Sequence, residues 1–142
     1  MKVSARNQLA GVVSSVVEGA VNDEVVLMLD NGESLVTVVT KSSAKTLGIS
    51  VGKKAVAIIK APWIVLAYPD CGLNFSARNQ FTGRVVKLVK GAVNSTVTVK
   101  TEKGLVLTAI ITNDSVDEMP LKEGDGVLAL VKASSVILAT EK

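Results

Sequence analysis

Runs of apolar, largely β-branched residues recur along the chain, separated by short clusters of Gly, Asn, Asp, Ser and Lys, which is the pattern of strands and turns. Residues 9–17 read as a first strand, broken at Glu18-Gly19-Ala20. Residues 22–29 form a second and lead into Asp30-Asn31-Gly32, whose Asn-Gly pair is a strong hairpin signal. Residues 33–39 return as strand three. Residues 40–48 then offer hydroxyls suited to an N-cap and a glycine suited to the position after the last turn, which predicts one short helix and no other in this half. Val51-Gly52 turns into strand four at 55–60, and strand five follows at 63–67.

The same order then starts again. Ser4-Ala5-Arg6-Asn7-Gln8 returns unchanged as Ser76-Ala77-Arg78-Asn79-Gln80, an offset of 72 residues. At that offset residues 4–67 align with 76–139 without a gap, and about 23 of the 64 pairs are identical, so one unit is written twice. The second copy predicts strands from Phe81, Val93 and Leu105, a short helix at 113–119, and strands at 127–132 and 136–139. Tyr68 to Phe75, with Pro, Gly and Asn, carries no periodicity of its own and reads as the link. The expected domains are residues 1–68 and 76–142, with a linker at 69–75. Three strands, a helix and two strands is the order of a small barrel whose helix fills the gap between strands three and four. The fold class is therefore all-β: two tandem OB-like five-stranded barrels, each with one short helix between strands 3 and 4.

Composition sharpens this picture. Apolar residues make up 48% of the chain but aromatics only 3%, so Val, Ile, Leu and Ala must build the cores. Each unit of roughly 65 residues is near the lower limit for folding alone, so pairing of halves or oligomerisation is expected. Net charge is +3, without the dense Lys/Arg clusters of a nucleic-acid binder. No apolar run approaches membrane-spanning length, and Met1-Lys2-Val3 leads directly into polar residues; a cytoplasmic protein without membrane attachment is expected. The single cysteine, Cys71, excludes an internal disulfide and reads as an incidental thiol in the link.

Histidine is absent, as are a cysteine pair, a phosphate-binding glycine loop and any carboxylate pair shared by both copies. Zinc sites, histidine catalysis and Walker-type hydrolysis lose their usual residues, so an enzyme is not expected, nor a bare metal cation or a cofactor. What repeats is a set of donors: Ser4, Arg6, Thr40, Ser43 and Lys60, matched by Ser76, Arg78, Thr112, Ser115 and Lys132. Cations, hydroxyls and backbone N–H groups at a helix start suit a small oxyanion. Taken singly, the threonine and serine pairs also serve as helix caps, and the lysines as strand-end solubilising charges.

These residues resemble the molbindins, cytoplasmic proteins of Mop domains that bind molybdate and tungstate, in the form with two tandem domains. The resemblance rests on Ser-Ala-Arg-Asn-Gln at the start of each copy, Gly-Ala-Val-Asn at 19–22 and 91–94, Thr-x-x-Ser before each helix, and Lys-Ala in strand four. It implies a ring of six domains, hence a homotrimer, with anions held between domains. Position by position it implies one class of site from Ser4, Arg6, Thr40, Ser43, Lys60 and Ala61, with Ser76, Arg78, Thr112, Ser115, Lys132 and Ala133 as counterparts. A second class, on the threefold axis, would lie near Asn22 or Asn94. It further implies storage, buffering or homeostasis of the anion inside the cell.

Physical chemistry agrees with that ligand. Molybdate is a dianion at neutral pH, satisfied by donors alone, whereas hydrogen phosphate presents a proton that wants an acceptor. Each charged hydrogen bond contributes about 1.5–3 kcal/mol. In the second copy Asn113-Asp114 replaces Lys41-Ser42, and Asp114 beside Ser115 weakens a dianion site unless it turns away as an N-cap, so unequal binding by the two copies is expected. The rival reading is a single-stranded nucleic-acid binder, which needs aromatic platforms. Only Trp63, Tyr68, Phe75 and Phe81 are aromatic, and no stacking pair repeats.

Overall fold

The computed structural model describes residues 3–142. Its elements are β1 (Asn7–Glu18), β2 (Asn22–Leu29), β3 (Ser34–Thr40), α1 (Lys41–Leu47), β4 (Lys54–Ile59) and β5 (Val65–Ala67). The second copy supplies β6 (Asn79–Lys90), β7 (Asn94–Thr101), β8 (Val106–Thr112), α2 (Asn113–Glu118), β9 (Gly126–Val131) and β10 (Ile137–Ala139). Short 3₁₀ turns at Ala61–Trp63 and Ala133–Ser135, not expected from the sequence pattern, precede β5 and β10.

The strands form two curled five-stranded antiparallel sheets, as the predicted fold class requires, but their fifth strands are exchanged. One sheet runs β10-β4-β1-β2-β3 and the other β5-β9-β6-β7-β8. Leu138 pairs with Ala57, and Leu66 pairs with Ala129. The compact units are accordingly residues 1–59 with 132–142, and residues 60–131. These differ from the expected domains at 1–68 and 76–142, because each copy's last strand closes the sheet of the other copy.

Each unit buries the same alternating set. In the first, Leu9, Val13, Val25, Leu27, Leu35, Ala57 and Ile59 meet Val136 and Leu138. In the second, Phe81, Val85, Val97, Val99, Leu107, Ala129 and Val131 meet Ile64 and Leu66. A bulge between Val13 and Ser15 in β1, and another between Val85 and Lys87 in β6, breaks the alternation and bends these long strands. Thr37, fully buried in the first core, is satisfied by donating to the Val136 carbonyl at 3.2 Å. Among the described residues no helix is long and apolar enough to cross a membrane.

Candidate functional site

The two helices begin identically. Thr40 and Thr112 sit at extended N-cap geometry, with φ, ψ of −67°, 151° and −68°, 151°. The Thr40 hydroxyl accepts from the Ser43 N–H at 3.0 Å and donates to the Ser43 hydroxyl at 2.9 Å. In the second copy Thr112 accepts from the Ser115 N–H at 3.1 Å and donates to the Ser115 hydroxyl at 2.9 Å. Capping thus fixes each Thr–Ser pair at the surface, with Thr40, Ser43 and Thr112 exposed and Ser115 half-buried. The helices end differently: Gly48 takes a left-handed φ of 67°, whereas Met119 stays right-handed.

Asn22 and Asn94, expected near a separate class of site, lie beside these caps. Asn22 is directly opposite Thr40 in the β2–β3 ladder, and Asn94 is opposite Thr112 in β7–β8. Their turns are fixed by the Gly19 N–H to Asn22 carbonyl bond at 3.0 Å and its Gly91 to Asn94 equivalent at 2.8 Å. A Cβ at Gly19 would collide with the Asn22 carbonyl oxygen, and one at Gly91 would stand 2.7 Å from that of Asn94. Close approach therefore accounts for the repeated glycine.

The pentapeptides divide between buried or folded-back amides and exposed residues. Asn7 is buried and its amide donates to the Ile59 carbonyl at 3.2 Å; Asn79 is buried in the same way at the start of β6. Gln8 folds back to donate to the carbonyls of Val3 and Ala5, and Gln80 to those of Phe75 and Ala77. Those two residue types thus hold the strand entry, while Ser4, Arg6, Ser76 and Arg78 remain exposed. The sequence singled out the serines and arginines but not the structural work of the amides between them.

Lys60 and Lys132 are exposed N-cap residues of the 3₁₀ turns, and Ala61 and Ala133 are buried beneath them. Buried methyl groups leave only backbone atoms of these alanines to meet a polar ligand. Lys60 places its ammonium 5.8 Å from the Trp63 ring centroid, within cation–π range, while Ser135 takes the place of Trp63 after Lys132. Strand exchange regroups the expected ligands. Ser4, Arg6, Asn22, Thr40 and Ser43 share a unit with Lys132 and Ala133, whose turn packs against β3. Ser76, Arg78, Asn94, Thr112 and Ser115 share one with Lys60 and Ala61, whose turn packs against β8.

An open groove of about 370 Å³ runs along α1 in the first unit. Thr40, Ser42, Ser43 and Thr46 form its hydroxyl wall, and Val39, Leu47, Val136, Ile137 and Leu138 its apolar one. Thr40 and Ser43 are the expected ligands that reach it. At the positions of Ser42 and Thr46 the second copy carries Asp114 and Glu118, both exposed. Asp114 lies in the first turn of α2 and Thr112 is the cap, so Asp114 does not turn away as an N-cap. Among the described residues no cluster of His, Cys, Asp or Glu is arranged to hold a metal ion. Of the aromatic residues, Phe81 is buried in the core and the Tyr68 hydroxyl donates to Asp125 at 2.7 Å.

A TOBE-domain family model matches residues 3–66 and again residues 76–138. The chain belongs to the TOBE-domain family. Both TOBE repeats follow the sequence repeat, so each includes the strand that the fold gives to the other unit. The TOBE pair is similar to a crystal structure of the cytoplasmic molybdate-binding protein ModG with molybdate bound, at 45% identity and a TM-score of 0.93, over 99% of this chain and 100% of that one. The resemblance to tandem molbindins is upheld by that match, and it is a match to a binding protein rather than an enzyme. Similar proteins include the molybdenum transport protein ModE of Herbaspirillum seropedicae, 37% identical over all of this chain and 53% of its own length. The molybdenum-pterin-binding protein MopA of Rhodobacter capsulatus is 40% identical over 98% of this chain and 52% of its own. The chain spans about half the length of these curated relatives.

Proposed function

We propose that this protein binds molybdate, and tungstate with it, for storage, buffering or homeostasis in the cytoplasm. The observation that carries the reading is the 45% identity and 0.93 TM-score across the whole of a protein described as molybdate-binding. Supporting it is a donor set without repeated carboxylates: exposed Ser4, Arg6, Thr40, Ser43 and Lys132 in one unit, and exposed Lys60, Ser76, Arg78 and Thr112 with half-buried Ser115 in the other. Ala61 and Ala133 enter through their backbone, and Asn22 and Asn94 join the caps they face rather than forming a class apart. A homotrimer of tandem domains is the assembly proposed. The first unit binds more tightly, because Asp114 and Glu118 stand where it has Ser42 and Thr46 and repel a dianion.

Isothermal titration of anion-free protein with molybdate and tungstate, then sulfate and phosphate, tests this. Tight heats with the first two and weak response to the others are expected. Absence of molybdate binding would sink the proposal. Arg6→Ala should remove the tighter class of site and Arg78→Ala the weaker, so equal residual capacity in both variants would refute the inequality.

A further inference from the structure

Two positions change together between the copies. Asp23 and Lys41 occupy the places of Ser95 and Asn113, so an ionic pair in one unit is a neutral pair in the other. The strand member is buried in both, with Asp23 5% exposed and Ser95 0%. In the first unit an Asp23 carboxylate oxygen accepts from the Lys41 ammonium at 3.1 Å and from the Gly19 N–H at 3.4 Å. In the second, the Ser95 hydroxyl donates to the Asn113 side-chain oxygen at 2.5 Å, and the Asn113 amide donates to the Gly91 carbonyl at 2.9 Å. Different chemistry thus closes one loop, from the turn glycine through the strand to the first residue of the helix.

Closing the turn does not itself require this loop, since the Gly19 and Gly91 backbone bonds already do so. The pair adds a tie between turn and helix, beside the Lys41 N–H to Val21 carbonyl bond at 3.0 Å and the Asn113 N–H to Val93 carbonyl bond at 2.9 Å. The residue immediately before each buried member is Asn22 or Asn94, exposed and opposite the capping threonine. A Ser–Lys mixture alters the tie differently in each unit. Asp23→Ser takes the buried carboxylate from the Lys41 ammonium, which keeps only exposed Glu18 at 3.8 Å, and from the Gly19 N–H. Asn113→Lys removes the side-chain oxygen that accepts from Ser95 and puts a charged ammonium in place of the amide that donates to the Gly91 carbonyl.

We propose that Asp23–Lys41 and Ser95–Asn113 are positioning pairs that hold Asn22 and Asn94 against Thr40 and Thr112 in the oxyanion site, so that binding depends on a matched pair and not on its charge. This deepens the oxyanion reading and rests on it. The test exchanges the pairs in the full chain: the mixtures Asp23→Ser and Asn113→Lys, against the doubles D23S/K41N and S95D/N113K. With molybdate titrated well below the thermal midpoint, each mixture should weaken its own unit's binding about tenfold, and each double should return within about twofold of the parent. Mixtures that melt earlier but bind as the parent does would reduce the pairs to fold stability and overturn the proposal. Doubles that fold but bind as weakly as the mixtures would overturn it too, and they carry the test where a mixture fails to fold. Exchange of the backbone amides at positions 41 and 113 without anion should follow the same pattern, fast in the mixtures and slow in the doubles. A parent that binds no molybdate would sink the oxyanion reading, while the exchange rates would still accept or reject the tie.

Discussion

Thr40 caps α1, and the ligand role proposed for it can be separated from that capping by measurement. As the cap of α1 its hydroxyl satisfies the Ser43 N–H, and a lost cap costs about 1 kcal/mol. Thr40→Ala should lower stability by that amount and weaken molybdate binding, with Thr40→Ser restoring both. A Thr40→Ala variant that loses stability while titrating like the parent would remove Thr40 from the ligands. The proposed site residues stand out in the sequence because Ser4, Arg6, Thr40 and Lys60 return in the second copy where packing does not demand them. Equally repeated Asn7 and Gln8 answer to the backbone instead, through bonds that depend on where the chain folds back. Tyr68 has no repeat signal, since Thr140 is its counterpart and bonds elsewhere, to the Leu47 carbonyl. Burial, and then the hydrogen bond to Asp125, raise its pKa from 10.0 to about 12. The same hydrogen bond holds the Asp125 carboxyl below its ordinary value. A raised phenol favours folding fully below pH 10 and loses that contribution as pH climbs from 10 towards 12. The lowered carboxyl favours folding above its ordinary value of 3.8 and loses that contribution as pH falls through it. Tyr68→Phe should therefore flatten thermal stability against pH at both extremes, and an unchanged alkaline limb would contradict this origin.

At the scale of elements, hydrophobic pattern located the strands, and hydroxyl and glycine punctuation, together with the repeat, located the short helices. Partnership of the fifth strands was not legible. Val65-Leu66-Ala67 and Ile137-Leu138-Ala139 present nearly the same side chains to either sheet, so no pattern of burial distinguishes them. Residues 60–64 and 132–136 decide the outcome, each with a 3₁₀ turn that carries the chain away from the strand it has just left. Trp63, expected to open strand five, instead closes the 3₁₀ turn Ala61–Trp63, and β5 begins at Val65. Exchange predicts crossed effects. Leu138→Ala, removing a side chain only 6% exposed, should cost about 2–5 kcal/mol and accelerate amide exchange in β4 of the first copy. Leu66→Ala should do the same in β9 of the second. Loss of protection confined to each mutated copy's own fourth strand would refute the exchange.

For the whole molecule, exchange makes the covalent repeat and the folded unit different objects. A chain cut after residue 75 contains β1 to β4 and a β5 whose partner, β9, has been removed. Its own sheet then lacks β10, leaving the edge of β4 unpaired and the core around Ala57 and Ile59 open where Val136 and Leu138 close it. Two copies of that fragment resolve both defects at once, because β5 of each carries the Leu66-Ala67 pair that matches Leu138-Ala139. Reciprocal exchange between chains would replace exchange within one chain, at the added cost of bringing two molecules together. The fragment should therefore sediment as a dimer or a multiple of one, unfold at a concentration-dependent midpoint, and lose strand content on dilution. A stable monomer of residues 1–75 with slow amide exchange throughout β4 would mean that β5 folds back onto its own sheet, and the 3₁₀ turn would lose its directing role. Joining two fragments in one chain removes dependence on concentration, which is the physical advantage of the tandem arrangement for a protein whose separate units are near the lower size for stable folding.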